Sequence, residues 1–391
     1  MKIVVFGGLG SQGKGALLDL AQSADVDEII CADANLEGWA DFAAAVDTTK
    51  ITPVKIDASA KDSLVALLKQ NVDAAIDLLP LKFMVIAFEA AIEAQVPLVS
   101  TNYAHPLRHL HQRAIEAGIG LMPECGFDPG IDLVLFGHAV KQFDEVKILH
   151  SFCGGFPEKS ACNNPLNYKV TWNWDMVLRS SKRDSVFIKD GVKKVIPAAE
   201  QHNKENLVKI DFPGLGELEG IPNGDAAVYM DSLGIADTIE ETTRYALRWP
   251  GWGDFWRPLK QLGFLSDDPL QFSDCKVTPH QFLTTLIGPQ IQYEDTEKDI
   301  VAMQNIFEGI KDGKRKRLTM NLLIERDLDS GLFAMNRGVG YPASIVAQML
   351  AKGEIATKGL LSPTVDIPAE KFMAELSNRG INIEIEEQIM D

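Results

Sequence analysis

The sequence predicts an α/β protein built on a doubly wound parallel sheet, followed by a second, mixed α/β domain. Three observations predict it. Short, near-continuous apolar runs alternate with helical spacing over the first 125 residues. A glycine-rich turn follows the first of those runs directly. From about Val146 the runs lengthen and are separated by tight-turn residues such as Asp190-Gly191. Apolar strands separated by helices imply a parallel sheet covered on both faces, whereas long strands joined by hairpin turns imply an antiparallel or mixed sheet.

Taken in order, "KIVVFG" at 2–7 is a buried strand, its apolar run too short for a signal peptide. "GKGALLDLAQSA" then has apolar residues three and four apart, a helix. "EIICAD" (28–33), "VKID" (54–57), "AAIDLLP" (74–80), "PLVST" (97–101) and "IGLMPEC" (119–125) read as the next five strands. "KDSLVALLKQN" and "MVIAFEAAIEAQ" are helices between them. In the second domain "VKILHSFCGG", "SVFIKDGVKKVI", "LVKIDFPGLGELEGI" and "RLTMNLLIER" read as strands. Residues 231–312 carry helical patterns, "IADTIEETTRYALRW" and "KDIVAMQNIFEGIK" among them. The tail holds two more helices, "PASIVAQMLAKGE" and "AEKFMAELSNRG", the latter closed by Gly380. The expected division is therefore 1–125, 126–330 with a helical insertion at about 231–312, and a segment 331–391 that packs back on the first domain.

The length of 391 residues fits more than one core. A net charge of −17, spread along the chain, repels a phosphate backbone and argues against nucleic-acid binding. No apolar stretch approaches the ~20 residues that span a bilayer. Five scattered cysteines without a CxxC pair fit free thiols in the cytoplasm. His105, His109 and His111 are clustered but lack a carboxylate or thiol at ligand spacing, so no metal is expected.

Gly8, Gly10 and Gly13 in "GLGSQG" form GxGxxG between a strand and a helix, with Ser11 and Gln12 opening the helix. The glycines permit a tight turn, close approach of backbone amides to a pyrophosphate, and close helix–strand packing. Asp33 follows Gly13 by 20 residues at the end of "EIICAD". A carboxylate there accepts the adenosine ribose hydroxyls and repels a 2′-phosphate, which favours NAD over NADP. Together these define a Rossmann-type dinucleotide domain. Leu79 and Pro80, then Asn102 and Tyr103, end the fourth and fifth strands, where such sheets bind ligands. Asp128, before Pro129-Gly130, fits a turn as well as a site.

The ordered set "GGLGSQG", "STNYAHP", "CGFDPGID", "CGGFP", "NPLNYKVTW", "YALRWPGW", "LKQLGFL" and "YPASIVAQML" resembles the saccharopine dehydrogenase family over nearly the whole chain. The relevant members are the glutamate-forming saccharopine reductases and the lysine 6-dehydrogenases. The resemblance implies hydride transfer between a nitrogen-bearing carbon and a nicotinamide, on lysine or a lysine-derived secondary amine such as saccharopine. It also implies a homodimer. Asn102, Tyr103, Asp128 and Arg248 match substrate-contacting positions of the family. Tyr103, Asp128 and Lys169, in "NYKVTW", are the candidates for handling protons at the amine, and a lysine in an apolar cleft could have its pKa lowered enough to serve.

Two departures stand out. Asp33 takes the place where the reductases carry a feature suited to NADP. In the loop Pro222-Asn223-Gly224-Asp225, glycine replaces the family's arginine, which grips a substrate carboxylate. Gly224 therefore implies a substrate with fewer acidic arms, or a cation from elsewhere such as Lys169 or Arg179. A non-catalytic dinucleotide-binding protein of the same fold is the alternative in a different class.

Overall fold

The structure, a computed structural model, describes residues 1–390. The chain forms two compact units. The first comprises Met1–His138 and Met335–Asn382, and the second Ala139–Ala334 with the residues from Ile383 onward.

The first unit is organised on strands β1 (Lys2–Phe6), β2 (Glu28–Asp33), β3 (Ile51–Lys55), β4 (Ala74–Asp77), β5 (Leu98–Ser100) and β6 (Gly120–Met122). A two-residue strand from the tail, Gly359–Leu360, joins them (β17 by its place in the chain). All pair in parallel, in the order β17-β6-β5-β4-β1-β2-β3. The apolar runs are continuous because both faces are covered: Ile3, Val4, Val5 and Phe6 are all fully buried. β3 lies three residues earlier than "VKID" suggests. Asp57 instead builds a turn, its Oδ1 accepting from the Ser59 amide at 2.9 Å.

The tail helix Ala334–Ala351 crosses the first helix, Ser11–Gln22, backbone against backbone. A Cβ on Gly15 would lie 2.2 Å from the Asn336 carbonyl oxygen, and one on Gly340 would lie 2.5 Å from the Ala16 nitrogen. Only glycine permits that spacing. Buried Asp19 then ties the tail in, accepting from Arg379 and from Ser344.

The second unit is a nine-stranded mixed sheet. Its strands are β7 (Glu145–Pro157), β8 (Ser185–Lys189), β9 (Val192–Ile196), β10 (Val208–Phe212), β11 (Gly216–Pro222), β12 (Glu241–Arg248), β15 (Asp299–Lys311), β16 (Lys314–Glu325) and β18 (Ile383–Met390); a small separate hairpin supplies β13 (Leu270–Phe272) and β14 (Cys275–Val277). The order is β10-β11-β12-β7-β15-β16-β18, with β8 pairing to β12 and β9. The stretches 235–249 and 298–311, expected to be helical, are the strands β12 and β15 flanking β7. Both are buried on both faces, so the alternation that marks a half-exposed strand is missing and the apolar residues mimic helical spacing. The helices actually present in 231–312 are Trp252–Gln261 and Pro279–Ile287. An aromatic core including Phe156, Tyr168, Trp174, Tyr245, Trp252 and Trp256 packs one face of this sheet.

Candidate functional site

In the first unit, β1 runs straight into the glycine turn. The tight bend falls on Gly7 rather than Gly8: its φ is +73°, and a Cβ there would lie 2.7 Å from the Leu78 carbonyl oxygen. Gly8 packs against the sheet instead, where a Cβ would meet Cys31 Sγ at 2.7 Å. Gly10 donates to the Gly7 oxygen at 3.1 Å and caps the helix Ser11–Gln22, whose start has no side-chain cap. Gly13 is the most constrained of the set, since a Cβ would sit 2.3 Å from the Gly7 oxygen and 2.5 Å from that of Gly8. Exposed Ser11 and half-buried Gln12 form the first turn; Gln12 holds a buried Oε1 with no hydrogen-bond partner. A helix start with uncapped amides beside a side-chain-free turn suits a pyrophosphate, so the residues present fit a dinucleotide.

Asp33 ends β2 beside this turn. Its Oδ2 accepts from the Leu9 amide at 3.1 Å and its Oδ1 from the Asn35 amide at 3.2 Å. The carboxylate thus clamps the glycine loop, and the β2–β3 register sets Lys55 opposite it.

The edge formed by the ends of β4, β5 and β6 is organised by Asp77, which the sequence reading did not single out. It is fully buried and accepts from the Leu79 amide at 3.2 Å and from Ser100 Oγ at 3.1 Å. Burial pushes its pKa up to about 7, against the pull of those hydrogen bonds. Leu79 is buried beside it, and exposed Pro80 opens the next turn. The loops after β5 and β6 are then laced together. The Asn102 amide donates to Ser100 Oγ, the Glu124 amide to the Asn102 oxygen, and the Ala104 amide to Glu124 Oε1. Tyr103 stands on this loop, 38% exposed. Half-buried Asp128 precedes a cis peptide to Pro129 on the facing loop. Asp132 accepts from the Gly130 amide at 2.7 Å, and burial raises its pKa to about 7. So the structure gathers Asn102, Tyr103 and Asp128 on adjoining loops of one sheet edge.

In the second unit, Arg248 ends β12 and is nearly buried. Its guanidinium lies over the rings of Tyr168 at 5.2 Å and Trp252 at 5.1 Å. Nη1 donates to the Leu247 oxygen at 2.6 Å, and Nε has no partner. Among the described residues no carboxylate pairs with it, and burial draws its pKa below the usual arginine range. Lys169 lies near the same aromatic group, its Nζ 5.9 Å from the Tyr293 ring centre. The sequence offered Lys169 as a proton-handling candidate, on the ground that an apolar cleft could lower a lysine's pKa. The structure instead gives its ammonium both oxygens of Glu297, at 2.7 and 2.6 Å. Glu297 is 128 residues away, beyond the reach of any local pattern.

Gly224 has φ +69° and open space where a side chain would project. The loop around it is pinned by backbone bonds from Val186 to the Gly224 oxygen and from Asn223 to the Arg244 oxygen, each 2.9 Å. Neither suggested replacement cation is free: Lys169 holds Glu297, and exposed Arg179 holds Asp175 at 2.7 Å. His111 Nδ1 accepts from the Leu360 amide at 3.1 Å. Among the described residues, no three His, Cys, Asp or Glu side chains are grouped to hold a metal, and no helix is long and apolar enough to cross a membrane.

Comparison with known proteins gives two family matches. Residues 3–122 match the saccharopine dehydrogenase NADP binding domain, and residues 126–381 match the saccharopine dehydrogenase C-terminal domain. The NADP(+)-dependent, L-glutamate-forming saccharopine dehydrogenase of Pyricularia oryzae is 27% identical over 87% of this chain and 89% of its own. The corresponding Saccharomyces cerevisiae enzyme is 28% identical over 83% and 86%. The solved structure of the apo L-Glu-forming saccharopine dehydrogenase from S. cerevisiae superposes with a TM-score of 0.86 at 23% identity, covering 99% of both chains, and shows the shared fold. The expected preference for NAD is overturned by these matches, because the amino-terminal domain is of an NADP-binding kind and the relatives use NADP(+). The physical reason lies at Asp33: its oxygens already serve two backbone amides, so its presence does not specify a free ribose hydroxyl.

Proposed function

The chain belongs to the saccharopine dehydrogenase family, and on that premise we propose that it is an NADP-dependent oxidoreductase acting on saccharopine, the secondary amine joining lysine to a glutamate-type dicarboxylate. The observation that carries the substrate assignment is Arg248: a buried, ring-stacked guanidinium without a carboxylate partner among the described residues, so that a substrate carboxylate completes it. The first unit would hold the dinucleotide through the turn of Gly7, Gly8, Gly10 and Gly13 and the uncapped helix start at Ser11 and Gln12, which suit a pyrophosphate. Leu79 and Pro80 line its path.

When bound, NADP(+) supplies a hydride acceptor at the nicotinamide C4. The chain's own residues position the amine and manage its protons. Asn102 and Tyr103 orient the substrate, and Asp128 accepts the proton that leaves the amine, since hydride departs from the nitrogen-bearing carbon only when the nitrogen is neutral and its lone pair can form the C=N bond. Lys169, fixed by Glu297, delivers and recovers a proton as water adds to the oxidised carbon and the amine departs. We also infer that the protein works in the cytoplasm as a homodimer, a reading supported by the family resemblance and by five free cysteines.

A second reading is favoured by Gly224. A pocket lacking the loop arginine suits free lysine, which has one carboxylate. Steady-state reduction of NADP(+) with saccharopine and with lysine separates the two: saccharopine is expected to have the higher kcat/KM, and the reverse order would replace the first reading by the second.

A further inference from the structure

Next to Asn223 lies a cavity with about 270 Å³ of empty space, part of it open to solvent, lined by Ser181, Gln201, His202, Asn223, Arg248 and Trp252 among others. Its polar chemistry is one-sided. His202 is 1% exposed, and neither ring nitrogen has a hydrogen-bond partner. Arg248 brings an unpartnered Nε to the same wall. Gln201 is held rigid, its Nε2 donating to the Pro222 oxygen at 2.6 Å while its Oε1 accepts from Lys260 at 3.4 Å. That bond from Lys260 is to a neutral amide, not to an acid. Burial draws the Lys260 pKa down to about 8. Burial, then the positive charges of Lys260, Arg248 and Arg257, hold His202 neutral, with a pKa near 3. Among the described residues, Arg257 alone of these cations has a carboxylate, Asp254, on its own helix at 2.8 Å.

A buried group of cations and hydrogen-bond donors without an acid on the cavity wall is arranged for an anion. We propose that this cavity, with His202 and Arg248 on its wall and Lys260 behind Gln201, binds a carboxylate arm of the substrate and supplies the positive charge that the loop lacks at Gly224. The inference rests on the saccharopine reading above and adds the residues that select a substrate with more than one carboxylate. His202 donates a ring N–H to one carboxylate oxygen, Lys260 compensates the charge, and Asn223 places the glycine loop at the rim. The requirement for an arginine in the loop disappears because the charge comes from Lys260 on the helix Trp252–Gln261 and from Arg248, while the turn holding Gln201 and His202 supplies a neutral donor.

The test uses glutarate, a dicarboxylate without an amine, so that the cavity is probed apart from the reaction. Calorimetric titration of the full chain is expected to detect glutarate binding, weakened tenfold or more in His202→Met and in Lys260→Met, with NADPH affinity retained as a check on folding. The Lys260 variant keeps the test decisive where the His202 variant fails to fold. Variants that bind glutarate as the unaltered chain does, or an unaltered chain that does not bind it, would overturn the subsite. Saccharopine-dependent NADP(+) reduction is measured alongside. Its absence despite glutarate binding at His202 would remove the proposed reaction and leave the subsite standing. Turnover whose KM is unchanged in both variants would do the opposite.

Discussion

Arg248→Met is expected to move binding and stability in opposite directions. In the free protein the guanidinium is buried without an acid, and its compensation is one bond to the Leu247 oxygen plus the faces of Tyr168 and Trp252. Two desolvated cation–π contacts contribute roughly 1–2 kcal/mol each. Desolvation of an unpaired buried ion costs several kcal/mol by order of magnitude. Methionine preserves an apolar stem between the rings and removes the charge, so the free variant should be as stable as the unaltered chain or more so. The substrate complex behaves in the contrary way. Removing one partner of a desolvated charge pair costs ~2–5 kcal/mol, which is a rise in KM of roughly 30-fold or more, at 1.4 kcal/mol per decade. Arg248→Lys should fall between, because it keeps the charge and loses the planar fork. The assay pairs thermal unfolding without ligand with steady-state kinetics on saccharopine. A Met variant that is several degrees less stable, with KM within twofold of the unaltered chain, would show that Arg248 is a structural residue and refute the reasoning.

Three further outcomes follow from the same geometry. Gly13→Ala places a Cβ about where the Gly7 and Gly8 oxygens stand, so NADPH titration should show binding lost and unfolding should show a deficit of ~1–3 kcal/mol; near-normal affinity would contradict the assignment of the turn. Asp77 has its folded pKa raised to about 7 from 3.8, so the folded state retains a proton that the unfolded chain has released. Its stabilisation is fully present below about pH 4 and is lost as pH rises to about 7, at no more than ~1.4 kcal/mol per pH unit. Asp77→Asn should flatten that slope in denaturant titrations, leaving the share due to Asp132, which has the same direction of shift. Lys169→Met should lower kcat by ~10²-fold in steady-state kinetics on saccharopine; near-normal turnover would exclude Lys169 from proton handling.

What the sequence disclosed was local. The glycine turn, Asp33 and the strands β1 and β2 lie within one short stretch of chain, and their spacing reflects a single strand–turn–helix unit. Even there the bend shifted to Gly7, because a doubled glycine offers two positions and only the Leu78 carbonyl decides between them. β12 and β15 carry helix-like spacing because they are buried on both faces, which removes the alternation of a half-exposed strand, and their shared neighbour β7 lies far off in sequence. Asp33 misled on the cofactor because its partners, the Leu9 and Asn35 amides, are visible only after the loop has folded. Lys169 needed Glu297, and His202 needed Lys260, 58 residues on. Such pairings are made by the sheet and the helix behind it, not by any motif.

The most direct measurement is the appearance of NADPH absorbance when the purified full chain meets saccharopine and NADP(+). Saturable, saccharopine-dependent NADPH formation that Gly13→Ala abolishes is the expected result. No NADPH with saccharopine or lysine, from protein that binds NADPH tightly, would contradict it and leave a cofactor-binding protein without amine chemistry.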